Sequence, residues 1–159
     1  MEGRRLSRAN SKDAVQVEQG SAAGLSREVT MPLRFRQLSG RFAICRLPPD
    51  ASIPELVPNA SFVSVTQTAD ELSIVCPMDQ VPASAKCEGP WTCFKLQGPF
   101  PFSQTGVLAS FIDPLAEHGV PIFAIATFDT DYVLVKEEYA PTAQQILTAA
   151  GHELIGQTA

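Results

Sequence analysis

The chain has 159 residues, of which 45% are hydrophobic and 18% charged, a balance suited to one compact domain or two small ones sharing a core. Its net charge of −5 is uneven, since residues 1–30 carry +1 and the remainder −6. An acidic domain without a basic patch argues against binding to nucleic acid or to an anionic membrane surface, and no apolar run approaches the roughly 20 residues that span a bilayer.

Residues 1–30 are rich in Ser, Arg, Gln and Ala and poor in large apolar side chains, so we expect a disordered tail. They lack the continuous apolar region of a secretory signal. Arg4, Arg5 and Arg8 leave a mitochondrial transit peptide as the alternative, although Asp13 and Glu18 are unusual in such peptides.

The four cysteines show no metal-binding pattern. Cys45, Cys76, Cys87 and Cys93 form no CxxC pair and have no histidine at zinc spacing, so no metal site and no cofactor are expected. Because no secretory signal precedes them, we expect free thiols in a reducing, cytoplasmic environment.

Residues 31–85 predict a small module of about four strands with little helix. Short segments with apolar or alternating patterns are typical of strands. They are Leu33–Leu38, Phe42–Leu47, Phe62–Gln67 and Glu71–Cys76. Ser39-Gly40-Arg41 between the first two predicts a hairpin. Val81–Pro90 is expected to be a connector that ends in a turn at Gly89-Pro90.

Residues 86–159 predict the element order βαββαβ. The predicted elements are a strand at Trp91–Gln97, a helix around Val107–Leu115, a central strand at Val120–Phe128, a strand at Asp131–Glu137, a helix from Pro141 to Gly151 and a short strand at Glu153–Ile155. This order is the ferredoxin-like plan, so the fold class is α+β, an antiparallel sheet with helices on one face.

The first helix of this module has the clearest pattern in the chain. Its apolar residues recur at the helical period, forming one stripe of Val107, Leu108, Phe111, Ile112 and Leu115. Ser103 is the expected N-cap, and Gly119 fits a left-handed helix stop. Asp113-Pro114 predicts an interruption, because Pro114 cannot donate to the carbonyl of Ser110.

Two runs resemble a two-module ACT-domain family. Gly98–Leu108 holds the Gly-rich turn and the helix start, and Pro121–Lys136 holds the apolar strand and its return strand. Similar modules occur in CASTOR arginine sensors and in the regulatory regions of aspartate kinases. The resemblance implies a C-terminal ACT domain over residues 86–159, a degenerate ACT-like module over residues 31–85, and ligand binding between ACT modules. Ala126 departs from the pattern, because such families often have Ser there.

The loop Phe100–Gly106 is the first part of the predicted ligand site. A loop that enters a helix N-terminus presents unpaired N–H groups and a favourable dipole, which suit a carboxylate. Gly106 permits close approach to the backbone, and three polar side chains add hydrogen-bonding groups. The candidate residues are Phe102, Ser103, Gln104, Thr105 and Gly106. The structural alternative is that Ser103 only caps the helix and Gly106 only relieves crowding.

The hairpin after the apolar strand is the second part. In the resembling family it lies beside the helix N-terminal loop, across a module interface, so Asp129 and Asp131 are placed to pair with an ammonium or guanidinium group. Thr127 and Phe128 would supply backbone contacts and a pocket wall. The alternative for Asp129 is an ordinary turn role.

The remaining polar candidates do not form a catalytic set. His118 and His152 follow helix C-termini, where the dipole already favours a cation, and neither has a Ser, Cys or Asp partner at triad spacing. Trp91 is expected to pack in the core. An enzyme using Cys93 or His118 is the least favoured class, and the chain is predicted not to be an enzyme.

Two functions remain in view. The first is a small-molecule-binding regulatory protein, an amino-acid sensor that forms a homodimer and acts on a protein partner. The second is an ACT-fold interaction or dimerisation module that has lost its ligand. Neither requires nucleic acid or a membrane.

Overall fold

The structure is a computed structural model that describes residues 31–55 and 60–157. The predicted tail, residues 1–30, lies outside the described residues. The strands are β1 Arg34–Gln37, β2 Phe42–Leu47, β3 Ser64–Gln67, β4 Leu72–Pro77, β5 Lys86–Leu96, β6 Ile122–Ala126, β7 Asp131–Lys136 and β8 Glu153–Gln157. The helices are α1 Val107–Glu117 and α2 Ala140–Ala149. Within the described residues, neither helix is long and apolar enough to cross a membrane.

All eight strands form one mixed sheet around β5. Its path runs β3-β4-β2-β5-β1-β8, while β7 pairs with the other edge of β5 and β6 pairs with β7. From β5 onward the order is strand, helix, strand, strand, helix, strand. The α+β fold and the βαββαβ order of the second half are therefore confirmed.

The predicted hairpin between the first two strands is wrong. β1 pairs with residues 94–96 of β5 and β2 with residues 86–91, both antiparallel, so β1 and β2 follow one another along the same edge. The N–H of Leu38 donates to the carbonyl of Cys93 at 2.9 Å, so the chain is still bonded to β5 where the turn was expected. Gly40, with φ +86°, lets the intervening residues bulge without reversing the chain.

Two further strand predictions are wrong. The predicted connector Val81–Pro90 contains the start of β5, because Lys86–Glu88 pairs with β2. Gly89-Pro90 lies where the pairing of β2 with β5 shifts register. Turn-forming residues such as Gly and Pro also occur at such irregularities within strands. The predicted central strand Val120–Phe128 is shorter, and β6 is an edge strand that, among the described strands, pairs only with β7. Ile122 packs on the helix side of the sheet and Phe123 and Ile125 on the opposite face, so the apolar run reflects packing on both faces and not pairing on both edges.

The last strand, β8, pairs with β1 and so joins β1 to the second half of the chain. β8 pairs parallel with β1, and the N–H of Glu153 donates to the carbonyl of Leu33 at 2.8 Å. β1 therefore lies between β5 and β8 and contributes Phe35 to the core of the second half. The division at residues 85 and 86 stays a prediction.

The apolar stripe of α1 packs as predicted, but the predicted N-cap and the predicted interruption of the helix are wrong. Val107, Phe111 and Leu115 are buried. The N-cap is Gly106 and not Ser103, and no side chain caps the helix. Pro114 lies inside a continuous helix. Gly119, with φ +70°, ends it as predicted.

The helix continues through Pro114 because another residue satisfies the carbonyl that the proline leaves open. The Nε2 of His152 lies 3.0 Å from the carbonyl oxygen of Ser110, and its Nδ1 lies 3.1 Å from the N–H of Leu33. Since Leu33 N–H can only donate, Nδ1 accepts and Nε2 carries the proton. His152, 2% exposed, thus joins α1 to the chain entering β1.

Three apolar layers hold the sheet in place. The first lies between the helices and the sheet and includes Phe35, Phe94 and Phe111. The second lies on the opposite face of β5 and β7, where Phe42 and Val75 of the first half pack against the second half. The third covers the outer face of β2 and β4. The first half is therefore packed directly on the sheet of the second.

The expectation that all four cysteines are free thiols is wrong. Cys45 of β2 lies directly opposite Cys87 of β5, with a Cα–Cα distance of 4.1 Å, and the two form a disulfide. They are 42 residues apart, so their spacing in the sequence gave no sign of the pairing. Cys76 and Cys93 are free and buried.

Candidate functional site

A cavity of about 210 Å³ lies between the loop after β5 and the β6–β7 hairpin. We call it the loop–hairpin cavity. Its lining comprises Phe100, Pro101, Phe102, Gln104, Val107, Ala126, Thr127, Phe128, Asp129, Thr130 and Asp131. The two segments proposed from sequence therefore meet at one cavity, but its lining lies within the second half and not between the two predicted modules.

Hydrogen bonds tie the loop to the hairpin. The N–H of Phe100 donates to the carbonyl of Asp129 at 2.9 Å, and the hydroxyl of Thr130 donates to the carbonyl of Leu96 at 2.8 Å. Thr130 is buried, so this second bond is shielded from water. These two bonds join the two walls of the cavity.

Gly98 permits this close approach. A Cβ atom at position 98 would lie 2.6 Å from the carbonyl oxygen of Asp129 and 3.0 Å from the Cβ of Thr130. A separation under 3 Å from a backbone oxygen is too close for any side chain. The sequence pattern places Gly98 in a Gly-rich turn but does not predict this contact, because residues in separate elements leave no local pattern.

Thr127 closes the hairpin turn through two hydrogen bonds to Thr130. Its hydroxyl donates to the carbonyl of Thr130 at 2.7 Å, and its N–H donates to the same oxygen at 2.9 Å. Thr127, predicted to supply backbone contacts and pocket wall, therefore lines the cavity while its side chain closes its own turn.

The two carboxylates carry the charge of the site. Asp129 and Asp131 line the cavity, and no Lys, Arg or His of the described part of the chain does so. Among the described residues, no hydrogen bond or ion pair engages either side chain. Burial raises the pKa of Asp131 above its ordinary value. A cation beside Asp131 would offset that effect by stabilising the charged form.

The first turn of α1 carries a partial positive charge, opposite in sign to the two carboxylates. Gly106 caps the helix in a left-handed conformation, φ +78°, without a side-chain hydrogen bond to the first turn. A helix leaves its first N–H groups without intrahelical partners and concentrates partial positive charge there. Val107, the first helical residue, lines the cavity.

Two phenylalanines stand at the mouth of the cavity. Phe102 is 79% exposed and Phe128 78%, and their rings meet edge to face with centroids 5.0 Å apart. We call this pair the Phe102–Phe128 patch.

Six of the nine predicted ligand residues line the cavity, namely Phe102, Gln104, Thr127, Phe128, Asp129 and Asp131. Ser103, Thr105 and Gly106 are not part of its lining. The side-chain amide of Gln104 donates to the sulfur of Met31 at 3.4 Å, so part of its hydrogen-bonding capacity is used. Thr130 was missed because its role depends on a contact between separate elements.

The other candidates named from sequence lie outside the loop–hairpin cavity. The Nδ1 of His118 lies 2.7 Å from the carbonyl of Pro114 at the end of α1. Burial raises the pKa of the Cys93 thiol to about 12, so it stays protonated near neutral pH and is a poor nucleophile. Trp91 is buried in the layer between the two halves, as predicted. In the described part of the chain, no group of three His, Cys, Asp or Glu side chains is placed to hold a metal ion.

Comparison with protein families matches both halves of the chain. An ACT domain model matches residues 86–149, and a model of an N-terminal domain matches residues 40–84. Comparison with curated proteins gave no match.

The chain also resembles solved structures. It is 39% identical to protein Atu0741 of Agobacterium tumefaciens, with 81% of this chain and 96% of that one covered and a TM-score of 0.75. Protein VC0802 of Vibrio cholerae, a protein of unknown function described as a possible transport protein, is 19% identical over 77% and 93% of the two chains, with a TM-score of 0.63.

The regulatory subunit of Thermus flavus aspartate kinase is 13% identical over 77% of this chain and 99% of that one, with a TM-score of 0.51. At such low identity this match and the one to VC0802 show the fold alone. The 39% identity to Atu0741, with nearly all of that protein covered, shows common family membership. With an ACT domain at residues 86–149 behind an N-terminal domain, the chain belongs to the ACT-domain family of small-ligand regulatory modules.

Proposed function

We propose that the protein is an amino-acid sensor that binds its ligand in the loop–hairpin cavity. The observation that carries the proposal is that Val107, the first residue of α1, and Asp131 line the same cavity. A helix N-terminus attracts a carboxylate, and a desolvated aspartate attracts an ammonium group. An α-amino acid carries both groups on one carbon.

The size of the cavity supports a ligand of this class. Its volume of about 210 Å³ lies below the roughly 300–1,000 Å³ of pockets for drug-sized molecules. A neighbouring groove of about 260 Å³ between β3, β4 and β6 is lined by Ser64, Thr66, Ser73 and apolar residues. The described residues that line this groove include no charged side chain, so none of them is a partner for the ammonium group.

We propose that the chain acts by binding and not by catalysis. Cys93 is buried as a thiol, and His118 is bonded to the end of its own helix. The output would then be a change in assembly or in a protein partner, coupled to the ligand by differential affinity. A turnover that is lost in Cys93→Ala or His118→Ala would contradict this.

A homodimer formed through the free edge of β6 is the assembly we propose. β6 has five uncharged residues and pairs on one side only, which leaves backbone groups open to a second strand. Ala124→Lys places a charge at this edge and should shift the dimer to monomer in sedimentation velocity. A monomeric wild-type protein would contradict the proposed assembly.

The second candidate, an interaction module without a ligand, is favoured by the Phe102–Phe128 patch. Exposed aromatic rings are common at protein interfaces, and Ala126 removes a hydroxyl that the resembling pattern often has. This candidate predicts that stability ignores every amino acid and that Asp131→Ala leaves partner binding intact.

A thermal-shift screen with the twenty amino acids separates the two. A ligand at one hundred times its Kd adds about 2.7 kcal/mol, which for a domain of this size raises Tm by roughly 5–10 °C. We expect at least one amino acid to do so. No shift with any of the twenty at millimolar concentration would overturn the sensor and support the interaction module.

A further inference from the structure

Two cations lie directly opposite each other on the face of the sheet away from the helices. Arg36 of β1 pairs in register with Lys95 of β5. Their neighbours along the two strands, Phe35 and Phe94, are buried between the sheet and the helices, so Arg36 and Lys95 project from the other face. Like charges directly opposite each other on adjacent strands destabilise a sheet. A negative charge beside the pair would remove this repulsion.

No carboxylate among the described residues supplies that charge. Arg34, on the same face, has its own partner, because its Nε lies 3.2 Å from an Oε of Glu153. Neither Arg36 nor Lys95 forms an ion pair with a residue of the described ranges. The Nζ of Lys95 lies 5.7 Å from the centroid of the Tyr132 ring, which attracts the cation but carries no net charge. The pair is therefore uncompensated within the described part of the chain.

A second pair of opposed cations shows how the same sheet offsets such charges elsewhere. Arg46 of β2 lies opposite Lys86 of β5. There the Nε of Arg46 is 3.3 Å from an Oε of Glu71, so a carboxylate stands beside the pair. The Nε of Arg36, in contrast, is buried without a hydrogen-bond partner among the described residues. A buried charged donor without an acceptor is costly, which is a second sign that an acceptor belongs at Arg36.

The polar atoms around Arg36 and Lys95 are donors. The Nη2 of Arg36 donates to the Oε1 of Gln97 at 2.9 Å, so the amide oxygen is used and the amide NH2 is left to donate. Guanidinium and ammonium groups have no acceptor atom. A ligand here must bring negative charge and several acceptor oxygens, as a phosphate dianion does. Two cations are too few for a nucleic-acid backbone, which needs a row of them.

We propose that Arg36, Lys95 and Gln97 bind a phosphate group, either as inorganic phosphate or as a phosphate monoester. The guanidinium pairs with two oxygens, while the ammonium acts as a point charge. Arg36 and Lys95 are both half-buried, so an anion reaches them from solvent and part of the competing water is excluded. None of the three residues lines the loop–hairpin cavity, so this site does not depend on the proposed function.

Titration of inorganic phosphate into the 15N-labelled full chain tests the site, with chloride used to hold the ionic strength constant. The Nε–H resonance of Arg36, assigned by its loss in Arg36→Lys, should shift and saturate at millimolar phosphate. Lys95→Gln should weaken binding several-fold, and Lys95→Arg, which keeps the charge, should restore most of it. Lys86→Gln is the matched control, because it removes the same charge from the pair that Glu71 compensates, and it should bind as wild type does. Should Lys95→Gln not fold, Arg36→Gln, followed through the backbone amides of β1 and β5, should show the same loss.

The source of the phosphate group follows from a parallel titration with glycerol phosphate. Tighter binding of this monoester than of inorganic phosphate would identify a phosphorylated metabolite, and equal binding would identify free phosphate. Malonate that binds as tightly as phosphate would overturn the phosphate assignment in favour of a carboxylate ligand. A shift that does not saturate, or an equal loss in Lys86→Gln and Lys95→Gln, would show only general attraction between charges and would overturn the site.

Discussion

At the scale of single residues, Gly98 and Thr130 set the shape of the loop–hairpin cavity. Thr130 bonds the end of β5 through its hydroxyl, and Gly98 leaves room for the carbonyl of Asp129. Neither touches a ligand through a charged group. Both determine where Asp131 and Phe100 lie relative to α1.

Gly98→Ala should therefore damage both stability and the site. The new Cβ would lie 2.6 Å from the Asp129 oxygen, so the backbone of the hairpin must shift, which costs about 1–3 kcal/mol. Urea unfolding measures this loss, and titration with the amino acid found in the screen should show weaker binding.

Gly40→Ala is the control for Gly98→Ala. At Gly40 a Cβ meets nothing within 4 Å, but φ is +86°, so strain of about 1–2 kcal/mol is expected without any effect on the ligand. Wild-type stability and affinity in Gly98→Ala would show that the tight contact does not shape the cavity.

His152 makes stability depend on pH. Burial lowers its pKa below the ordinary 6.5, and the hydrogen bond to Ser110 offsets part of this. Protonated Nδ1 would face the N–H of Leu33, a donor against a donor. Because the unfolded state binds the proton more readily, the stability contributed by His152 is present above pH 6.5 and is lost as pH falls through the lowered folded value.

His152→Gln should remove this dependence. We expect a loss of about 1–3 kcal/mol at pH 7.5 from the broken hydrogen bonds, and a smaller difference from wild type at pH 5. Urea unfolding of both proteins at each pH gives the difference, in which other titrating groups such as Asp131 cancel. A difference that is constant with pH would show that His152 does not titrate on unfolding.

At the scale of elements, periodicity located most strands and both helices, while pairing and termination depended on distant residues. The apolar stripe of α1 could be predicted from sequence because every third or fourth residue of the helix faces the same core. The effect of Pro114 could not be predicted in this way, because the carbonyl of Ser110 is bonded by His152, which lies 42 positions along the chain. The bulge at Gly40 uses the same residue types as a hairpin turn.

The candidate site shows the same limit. Helix-start and turn chemistry identified Gln104, Asp129 and Asp131 from local sequence. Thr130 and Gly98 were missed, since their roles exist only where the loop and the hairpin come together. Ser103 and Thr105 were predicted as ligand residues because their side chains are polar, but polarity does not determine the direction in which a side chain points.

The Cys45–Cys87 disulfide should stabilise the junction between β2 and β5. For a separation of 42 residues, the chain-entropy estimate is about 4 kcal/mol. A dithiol reductant should lower the free energy of unfolding by about this amount in wild type and leave Cys45→Ala/Cys87→Ala unchanged. Alkylation of the denatured, unreduced protein should label two cysteines, and labelling of all four would show that the disulfide is not formed.

At the scale of the whole molecule, β5 joins the two halves because it pairs with strands of both. One end of β5 pairs with β2 of the first half, and the other leads into the cavity loop. The layer containing Phe42, Val75, Trp91 and Leu134 packs the first half on the sheet that carries the hairpin. A ligand that tightens the loop and hairpin therefore acts on a surface continuous with both halves, which suits a regulatory protein.

The most direct test of amino-acid binding at this site is calorimetric titration of the amino acid found in the screen into wild type, Asp131→Asn and Asp113→Asn. Asp131→Asn keeps the shape and removes the charge, so losing a charge-assisted bond of about 1.5–3 kcal/mol should weaken binding roughly 10- to 100-fold. Asp113→Asn makes the same change on the exposed face of α1 and should bind as wild type does. Equal affinity for wild type and Asp131→Asn would contradict a ligand held between the helix N-terminus and the hairpin carboxylate.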